Sequence, residues 1–195
     1  IQDGVVTDTV RYLDSMERDV AALSALVDDV FLLARLDSGS YELERVNVDV
    51  AEVVDEAIDA LKPLAAEHNV SLILEATEPV FATASPDAVG RVVRNLIDNA
   101  IRHAPAGSSI VVSVTGGRDT VRVHVVDEGV GFDADFIPVA FQRFTRGDDA
   151  RTRETGGSGL GLAIAGELVS ALRGRIWADP GPGGRVNVEL PATVL

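Results

Sequence analysis

The segment that begins at Ser85 constrains the fold of this 195-residue chain more than any other. Ser85 and Pro86 are typical of a helix start, because serine caps the first turn and proline fits its geometry. The apolar residues that follow recur at helical spacing and form one stripe, which consists of Val89, Val93, Leu96, Ile97 and Ala100. Asn95 and Asn99 lie four residues apart, so a helix places both carboxamides on a second face. Because asparagine is a poor choice inside a helix, we expect this pair to serve a purpose beyond folding.

Two glycine-rich segments follow this helix. The first, DEGVG at 127–131, closes a predicted strand over 121–127, in which Asp127 shares the parity of the apolar residues and so points toward the core. The second, GGSGLG at 156–161, opens a helix predicted over 159–172. Glycines before a helix N-terminus leave free amides and a favourable dipole for an anion. Paired asparagines followed by two such turns indicate a nucleotide site.

The charged residues limit the chemistry further. Lys62 is the only lysine among the 17 basic residues, which excludes a Walker A loop and the lysine-bearing strand of serine/threonine kinases. A net charge of −14 argues against a nucleic acid partner. The absence of cysteine excludes a disulfide framework. The chain has neither a run of about 18 apolar residues nor a signal pattern, so we expect a cytoplasmic domain.

Together these motifs resemble the ATP-binding domain of sensor histidine kinases, within the wider family shared with gyrase, the mismatch-repair ATPase and the heat-shock chaperone. The resemblance covers nearly the whole chain. It implies an α+β fold, a two-layer α/β sandwich with a mixed, largely antiparallel sheet of the Bergerat type. It also implies ATP and Mg²⁺ as ligands.

The resemblance implies a role for each motif residue. Asn99 is the expected metal ligand, since Mg²⁺ prefers oxygen ligands and keeps water and phosphate oxygens in its shell. Asp127 is expected to accept the adenine amino group. The expected nucleotide-binding residues are Asn95, Asn99, Arg102, His103, Asp127, Gly129, Gly131, Phe144, Gly157, Ser158, Gly159, Leu160 and Gly161.

The polar, arginine-rich segment 142–156 predicts a lid over the phosphates. Phe141 and Phe144 can anchor its base, and an arginine can reach the γ-phosphate and stabilise charge during phosphoryl transfer. By resemblance Arg146 is the first candidate for this catalytic role and Arg143 the second. Asn95 completes the catalytic set, because ATPases of the superfamily tend to carry a glutamate at its place as general base, and an amide cannot activate water.

The first 44 residues differ in pattern from the rest. Residues 1–8 suggest the end of a loop, and a strict heptad seam then runs through Leu13, Met16, Val20, Leu23, Val27, Val30 and Ala34. ALVDDVFLLARLDSGS resembles the second helix of the dimerisation and phosphotransfer hairpin, so we expect 1–44 to be its remnant and 45–195 to be the catalytic domain. An ordinary amphipathic helix that packs on its own domain is the alternative.

The resemblance implies transfer of the γ-phosphoryl group of ATP to a histidine, for relay to an aspartate of a cognate response regulator. None of His68, His103 and His124 lies in a context like His-Glu-x-x-Thr-Pro, so we expect the acceptor outside this chain. The full-length protein is expected to be a bacterial homodimer, with any membrane anchor in parts not present here.

Several alternatives stay open at this point. The chain could be an ATPase that couples hydrolysis to conformational change, a non-catalytic nucleotide-binding dimerisation module, or a serine-directed anti-sigma kinase. Residues 129–134 could form a degenerate dinucleotide fingerprint or a plain Asp-Gly hairpin turn. The asparagine pair could be a solvated polar face, and the arginines part of a solvated loop. For Gly183-Gly184 a hairpin turn is the preferred interpretation.

Overall fold

A computed structural model describes residues 2–76, 78–145 and 158–193, with the side chains of 2–11, 14, 15 and 18 left out. The chain divides into two compact units, Ile1–Tyr41 and Glu42–Leu195. Each unit is considered by itself below.

The first unit is one long helix, α1 (Gln2–Asp37). The prediction of a loop over residues 1–8 was therefore wrong: the helix begins at Gln2, and no proline interrupts this stretch. The helix ends in a turn that includes Gly39 at φ 65°, where Ser40 N donates to the Arg35 carbonyl. The seam from Leu13 to Val30 is 46–67% exposed, so the predicted apolar stripe faces outward along the helix.

The second unit alternates strands and helices. In chain order its elements are β1 (Val46–Asp49), α2 (Val50–Glu67), β2 (Ser71–Glu75), β3 (Phe81–Ala84), α3 (Pro86–His103), β4 (Ser109–Gly116), β5 (Thr120–Val126), a 3-10 turn (Ile137–Val139), α4 (Gly161–Ala171), β6 (Arg175–Ala178) and β7 (Arg185–Pro191). Two helices start at capped residues: Asp49 accepts from Ala51 N at 3.0 Å, and Ser85 accepts from Ala88 N at 3.5 Å.

The main sheet has five strands in the order β2-β4-β5-β7-β6. The β2–β4 pair is parallel and the other three pairs are antiparallel, while β1 and β3 form a separate antiparallel pair. This arrangement confirms the predicted α+β class with a mixed, largely antiparallel sheet.

Helix α3 packs between α2 and α4, and the three helices cover one face of this sheet. The alternation of β5 places Val121, Val123 and Val125 in the core, opposite the apolar stripe of α3. The alternation continues past the last residue of the strand, so Asp127 points to the same side as these valines. The fold thus brings a carboxylate to the edge of the core beside the end of α3.

Candidate nucleotide-binding site

Asp127 is buried, with 7% of its surface exposed, as the strand parity predicted. A buried carboxylate is costly unless it finds hydrogen-bond donors. Its Oδ1 accepts from Gly129 N at 2.7 Å and from Gly184 N at 3.0 Å. Both donors are backbone amides, so the orientation of the carboxylate is set by the path of the main chain. Oδ2 has no such donor within the described ranges.

Glycine is required around Asp127 because the space for a side chain is occupied. A Cβ at Gly184 would overlap Asp127 Oδ2, and a Cβ at Gly129 would lie 2.6 Å from the His103 carbonyl oxygen. Gly131 adopts φ 82° and faces the Gly181 carbonyl, which a Cβ would also overlap. Three segments, the 127–131 turn, the end of α3 at His103 and the 181–184 connection, are therefore in close backbone contact around the carboxylate.

This geometry excludes two alternative interpretations of residues 129–134. The strand that precedes them has antiparallel neighbours on both sides, so no βαβ unit surrounds the glycines and the dinucleotide fingerprint was wrong. The chain continues from Gly131 toward a 3-10 turn, so the Asp-Gly hairpin was wrong too. Gly183 and Gly184 do lie in the connection of the β6–β7 hairpin, as expected, but sequence reasoning missed their contact with Asp127.

Asn95 lies at the opposite end of the candidate site. Its Nδ2 donates to the Gly161 carbonyl at 3.1 Å, and this bond ties α3 to the first residue of α4. Because α3 rises about 1.5 Å per residue, Asn95 and His103 are roughly 12 Å apart along its axis. Helix α3 therefore forms a floor that runs from the α4 start to the Asp127 turn.

Asn99 lies between these ends, half-buried, and its carboxamide has no hydrogen-bond partner among the residues that the structure describes. Arg102 is exposed and forms a two-pronged ion pair with Asp98, at 2.8 Å from Nε and 3.1 Å from Nη2. The His103 side chain is also exposed, while its carbonyl abuts Gly129. The structure thus places Asn95, Asn99 and Asp127 along the same stretch of α3, and Arg102 lies beside them.

The glycine segment before α4 forms the far wall. Gly159 adopts φ 70°, Leu160 is fully buried, and Ser158 Oγ accepts from Leu160 N at 3.2 Å. The helix begins at Gly161, two residues later than predicted, and a Cβ there would meet no atom of the described part of the chain within 4 Å. The first-turn amides of α4 lack intrahelical acceptors, as at any helix start, so this wall offers donors to an anion.

The predicted lid is described only at its base. Arg146 and Gly157 lie outside the described residues, as does the rest of 146–157. Phe144 N donates to the Gly159 carbonyl at 3.1 Å, and the Phe144 ring is 69% exposed. Arg143 forms an ion pair with Glu167 of α4 at 3.5 Å. Phe144 therefore lies beside the α4 start, whereas Arg143 contacts the middle of α4.

The donor chemistry of this site fits Mg²⁺ held together with a nucleotide. Among residues 2–76, 78–145 and 158–193, no group of three or more His, Cys, Asp or Glu side chains could hold a metal by itself. A single carboxamide oxygen at Asn99 suits an ion that keeps substrate phosphates and water in its shell.

Comparison with known proteins decides the family. The family described as histidine kinase-, DNA gyrase B- and HSP90-like ATPase matches residues 84–194, which include α3, Asp127 and the start of α4. The chain belongs to this ATPase family. Its resemblance to sensor histidine kinases is confirmed by curated relatives. The histidine-protein kinase BaeS of Escherichia coli (strain K12) is 34% identical over 194 residues, and the sensor protein SphS of Synechococcus elongatus is 34% identical over 202 residues.

A solved structure supports the same fold for this member of the ATPase family. Full-length ShkA, crystallised in complex with AMPPNP, matches 94% of the chain with a TM-score of 0.79 at 25% identity. The chain spans 98% of its own length in the two curated alignments, but only 41% of BaeS and 49% of SphS, and 39% of ShkA. Within the described residues, no helix is long and apolar enough to cross a membrane.

Proposed function

We propose that this chain is the kinase core of a two-component sensor histidine kinase, which binds Mg·ATP and transfers the γ-phosphoryl group to a histidine located elsewhere. The observation that carries the proposal is the contact of the Asn95 amide with the Gly161 carbonyl. An amide at this point holds the α4 start without a group that can activate water. The γ-phosphoryl group is thereby kept for a protein acceptor.

Recognition of the base is assigned to the Asp127 end. With Oδ1 held by two amides, Oδ2 is available to accept the adenine amino group. Gly129 and Gly131 keep the backbone close, so the base can lie against the turn. His103 borders the same turn through its carbonyl.

Binding of the phosphates is assigned to the other end. Ser158, Gly159, Leu160 and Gly161 form the start of α4, whose amides and dipole suit phosphate oxygens. Asn99 is the proposed metal ligand, and Asn95 and Arg102 border the phosphates. Mg²⁺, when bound, neutralises charge on the phosphate oxygens during transfer. We assign Gly157 to the same loop.

Arginine supplies the remaining positive charge, since this chain has a single lysine. Arg146 is the proposed γ-phosphate contact, and Arg143 a second one that would leave Glu167 to reach it. Phe144 anchors the base of the segment that carries them.

The domain plan of the proposal follows the sequence pattern. Residues 1–44 are assigned as the second helix of a dimerisation and phosphotransfer hairpin, and 45–195 as the catalytic domain. The exposed seam from Leu13 to Val30 supports a homodimer in the full-length protein. The phosphohistidine would then serve an aspartate of a cognate response regulator, on the cytoplasmic side of a membrane-anchored sensor.

Phosphoryl transfer in trans tests the proposal. Incubated with radiolabelled ATP, this chain alone is expected to stay unlabelled, because none of its three histidines lies in an acceptor context. A fragment that bears the matching acceptor helix should gain acid-labile label when the chain is added. The D127N variant is the matched control and should label the fragment more slowly.

Two outcomes would contradict the proposal. Label on the isolated chain at His68, His103 or His124 would place the acceptor within it. Rapid release of inorganic phosphate without label on the fragment would favour the ATPase alternative.

A further inference from the structure

Glu128, between the base-reading Asp127 and Gly129, faces a different part of the molecule from its neighbours. Its Oε1 accepts from Ser109 N at 2.9 Å and from Ser109 Oγ at 2.7 Å. Ser109 is the first residue of β4. One carboxylate oxygen therefore holds both the main chain and the side chain of a residue 19 positions away.

Ser109 ends the short segment that leaves α3. The segment starts at His103 and is held by two backbone bonds: Gly107 N donates to the Asn69 carbonyl, between α2 and β2, and Ser108 N donates to the Pro105 carbonyl at 3.2 Å. Its two ends both meet the Asp127 turn. At one end the His103 carbonyl abuts Gly129, and at the other Ser109 is bound by Glu128.

The bond from Glu128 therefore links two halves of the site that the chain supplies separately. The turn at 127–131 carries the base-reading carboxylate, and α3 carries Asn95 and Asn99. The position of the α3 end relative to the turn fixes the distance between the adenine acceptor and the metal ligand. A nucleotide that contacts both must match that distance.

We propose that Glu128 is a positioning residue that couples the adenine-reading turn to α3 through Ser109, and so favours nucleotides that engage both ends of the site over those that engage the turn alone. This inference rests on the proposed function, because it assumes that ATP spans Asp127 and Asn99. Glu128 itself is exposed and does not contact the nucleotide in this scheme.

The charge of Glu128 is maintained by the same contacts. The backbone and hydroxyl donors of Ser109 hold the pKa of the Glu128 carboxyl below its ordinary value. A carboxyl with a depressed folded-state pKa contributes above its ordinary value and loses that contribution as pH falls through the folded-state value. The coupling should therefore be constant from pH 8 down to about 5.

The test compares affinities for Mg·AMPPNP and for adenosine, measured by calorimetry on this chain at pH 7. E128A should weaken Mg·AMPPNP binding roughly three- to tenfold and leave adenosine within about twofold, since hydrogen bonds to a charged acceptor are lost at a site away from the base. S109A, which removes one of the two bonds, should change the ratio of the two affinities less than E128A does. E128Q, whose amide oxygen can still accept, should retain most of the wild-type affinity for Mg·AMPPNP.

Two further measurements make the result decisive. The double variant E128A/S109A should be no worse than E128A alone, because both changes remove one interaction. E75A is the matched control: Glu75 is also exposed, on the strand paired with β4, at the end away from Ser109, and its loss should change neither affinity.

The possible failures can be told apart. If the wild-type chain is folded but binds neither ligand, the proposed function fails. If the wild type binds both and E128A leaves the ratio of affinities unchanged, or lowers both affinities equally, the coupling role of Glu128 is overturned while the site assignment stands.

Discussion

The two ends of the candidate site differ in how tightly their atoms are packed. At the Asp127 end the atoms are packed as tightly as backbone allows: the carboxylate is buried, two amides hold one of its oxygens, and glycines fill positions where a Cβ would collide. At the Gly161 end a Cβ would meet no atom of the described residues within 4 Å, and Phe144 is exposed beside it. We infer that the proposed base end is organised before a ligand binds, whereas the proposed phosphate end is less constrained by the residues that the structure describes.

The largest difference between the ends should appear with alanine in place of glycine. G184A places a methyl group on Asp127 Oδ2 and should weaken adenosine binding roughly 30-fold, since overpacking costs about 2 kcal/mol. G161A, the matched change at the open end, should leave adenosine binding unchanged and affect only phosphate-bearing ligands. Calorimetry with adenosine and AMPPNP checks both variants, after thermal melting has shown that each is folded. Equal losses of adenosine affinity in the two variants would refute the contrast.

The next largest effect concerns the carboxylate itself. D127N keeps the shape of the side chain but removes its charge, and it should weaken adenosine and Mg·AMPPNP about tenfold each, because both share the base. D133N changes an exposed carboxylate close by and serves as the control. Unchanged adenosine affinity in D127N would show that the base lies elsewhere.

Asn99, the proposed metal ligand between the two ends, should have a smaller and more selective effect. N99A should weaken Mg·AMPPNP roughly fivefold and leave adenosine unaffected, because a single carboxamide oxygen is lost from a shell of phosphates and water. Chelation of Mg²⁺ provides the check: it should weaken AMPPNP binding to the wild type and have little effect on N99A. If chelation weakens both proteins equally, Asn99 does not hold the metal.

A smaller effect on stability is expected at Asn95. N95A removes the bond to the Gly161 carbonyl and should lower the free energy of unfolding by about 1 kcal/mol. N95D replaces the donor by an acceptor that faces the same carbonyl, so this variant should have a still lower free energy of unfolding. Denaturant titration compares the three proteins. Wild-type stability in N95D would mean that this bond does not join α3 to α4.

The smallest effect should come from His124, on the face of the sheet opposite to α2, α3 and α4. His124 Nε2 is buried without a hydrogen-bond partner among the described residues, and burial lowers the pKa of this imidazole, with Arg185 and Arg122 lowering it further and Asp179 opposing them. The unfolded chain then binds more protons, so stability should fall as pH drops below about 6.5 toward the lowered pKa.

The measurement is the free energy of unfolding at pH 7 and pH 5 for the wild type, H124N and H68N. H124N should lose part of this pH dependence, and H68N, at the exposed end of α2, should retain it. Nucleotide affinity should be unchanged in both variants. An identical pH dependence in H124N and the wild type would show that His124 does not titrate differently in the folded state.

Local patterns predicted most of the fold. Ser85 and Pro86 marked the start of α3, and the alternation of β5 predicted that Asp127 would be buried. Where the pattern was weak, the prediction was wrong: the seam has no member before Leu13, so residues 1–8 were assigned to a loop although the helix includes them from Gln2.

The parts of the site that sequence could not predict depend on distant contacts. Gly184 meets Asp127 across 57 positions, and Ser109 meets Glu128 across 19. A glycine in a hairpin is already explained by the turn that it forms. Nothing in the sequence around Gly184 therefore indicates that this glycine also contacts a buried carboxylate. A single acidic residue in a turn is equally uninformative until the neighbouring strand is in place.

The bond from Asn95 to Gly161 also restricts how this site could change its reaction over evolution. The Gly161 carbonyl accepts the Asn95 amide, whereas an ionised glutamate at position 95 would offer only acceptors. Exchange of Asn95 for glutamate, which could act as a general base, would therefore set carboxylate oxygens against this carbonyl at the α4 start. If the proposed function holds, a change toward hydrolysis at position 95 would therefore also require the α4 start to adjust to that carboxylate.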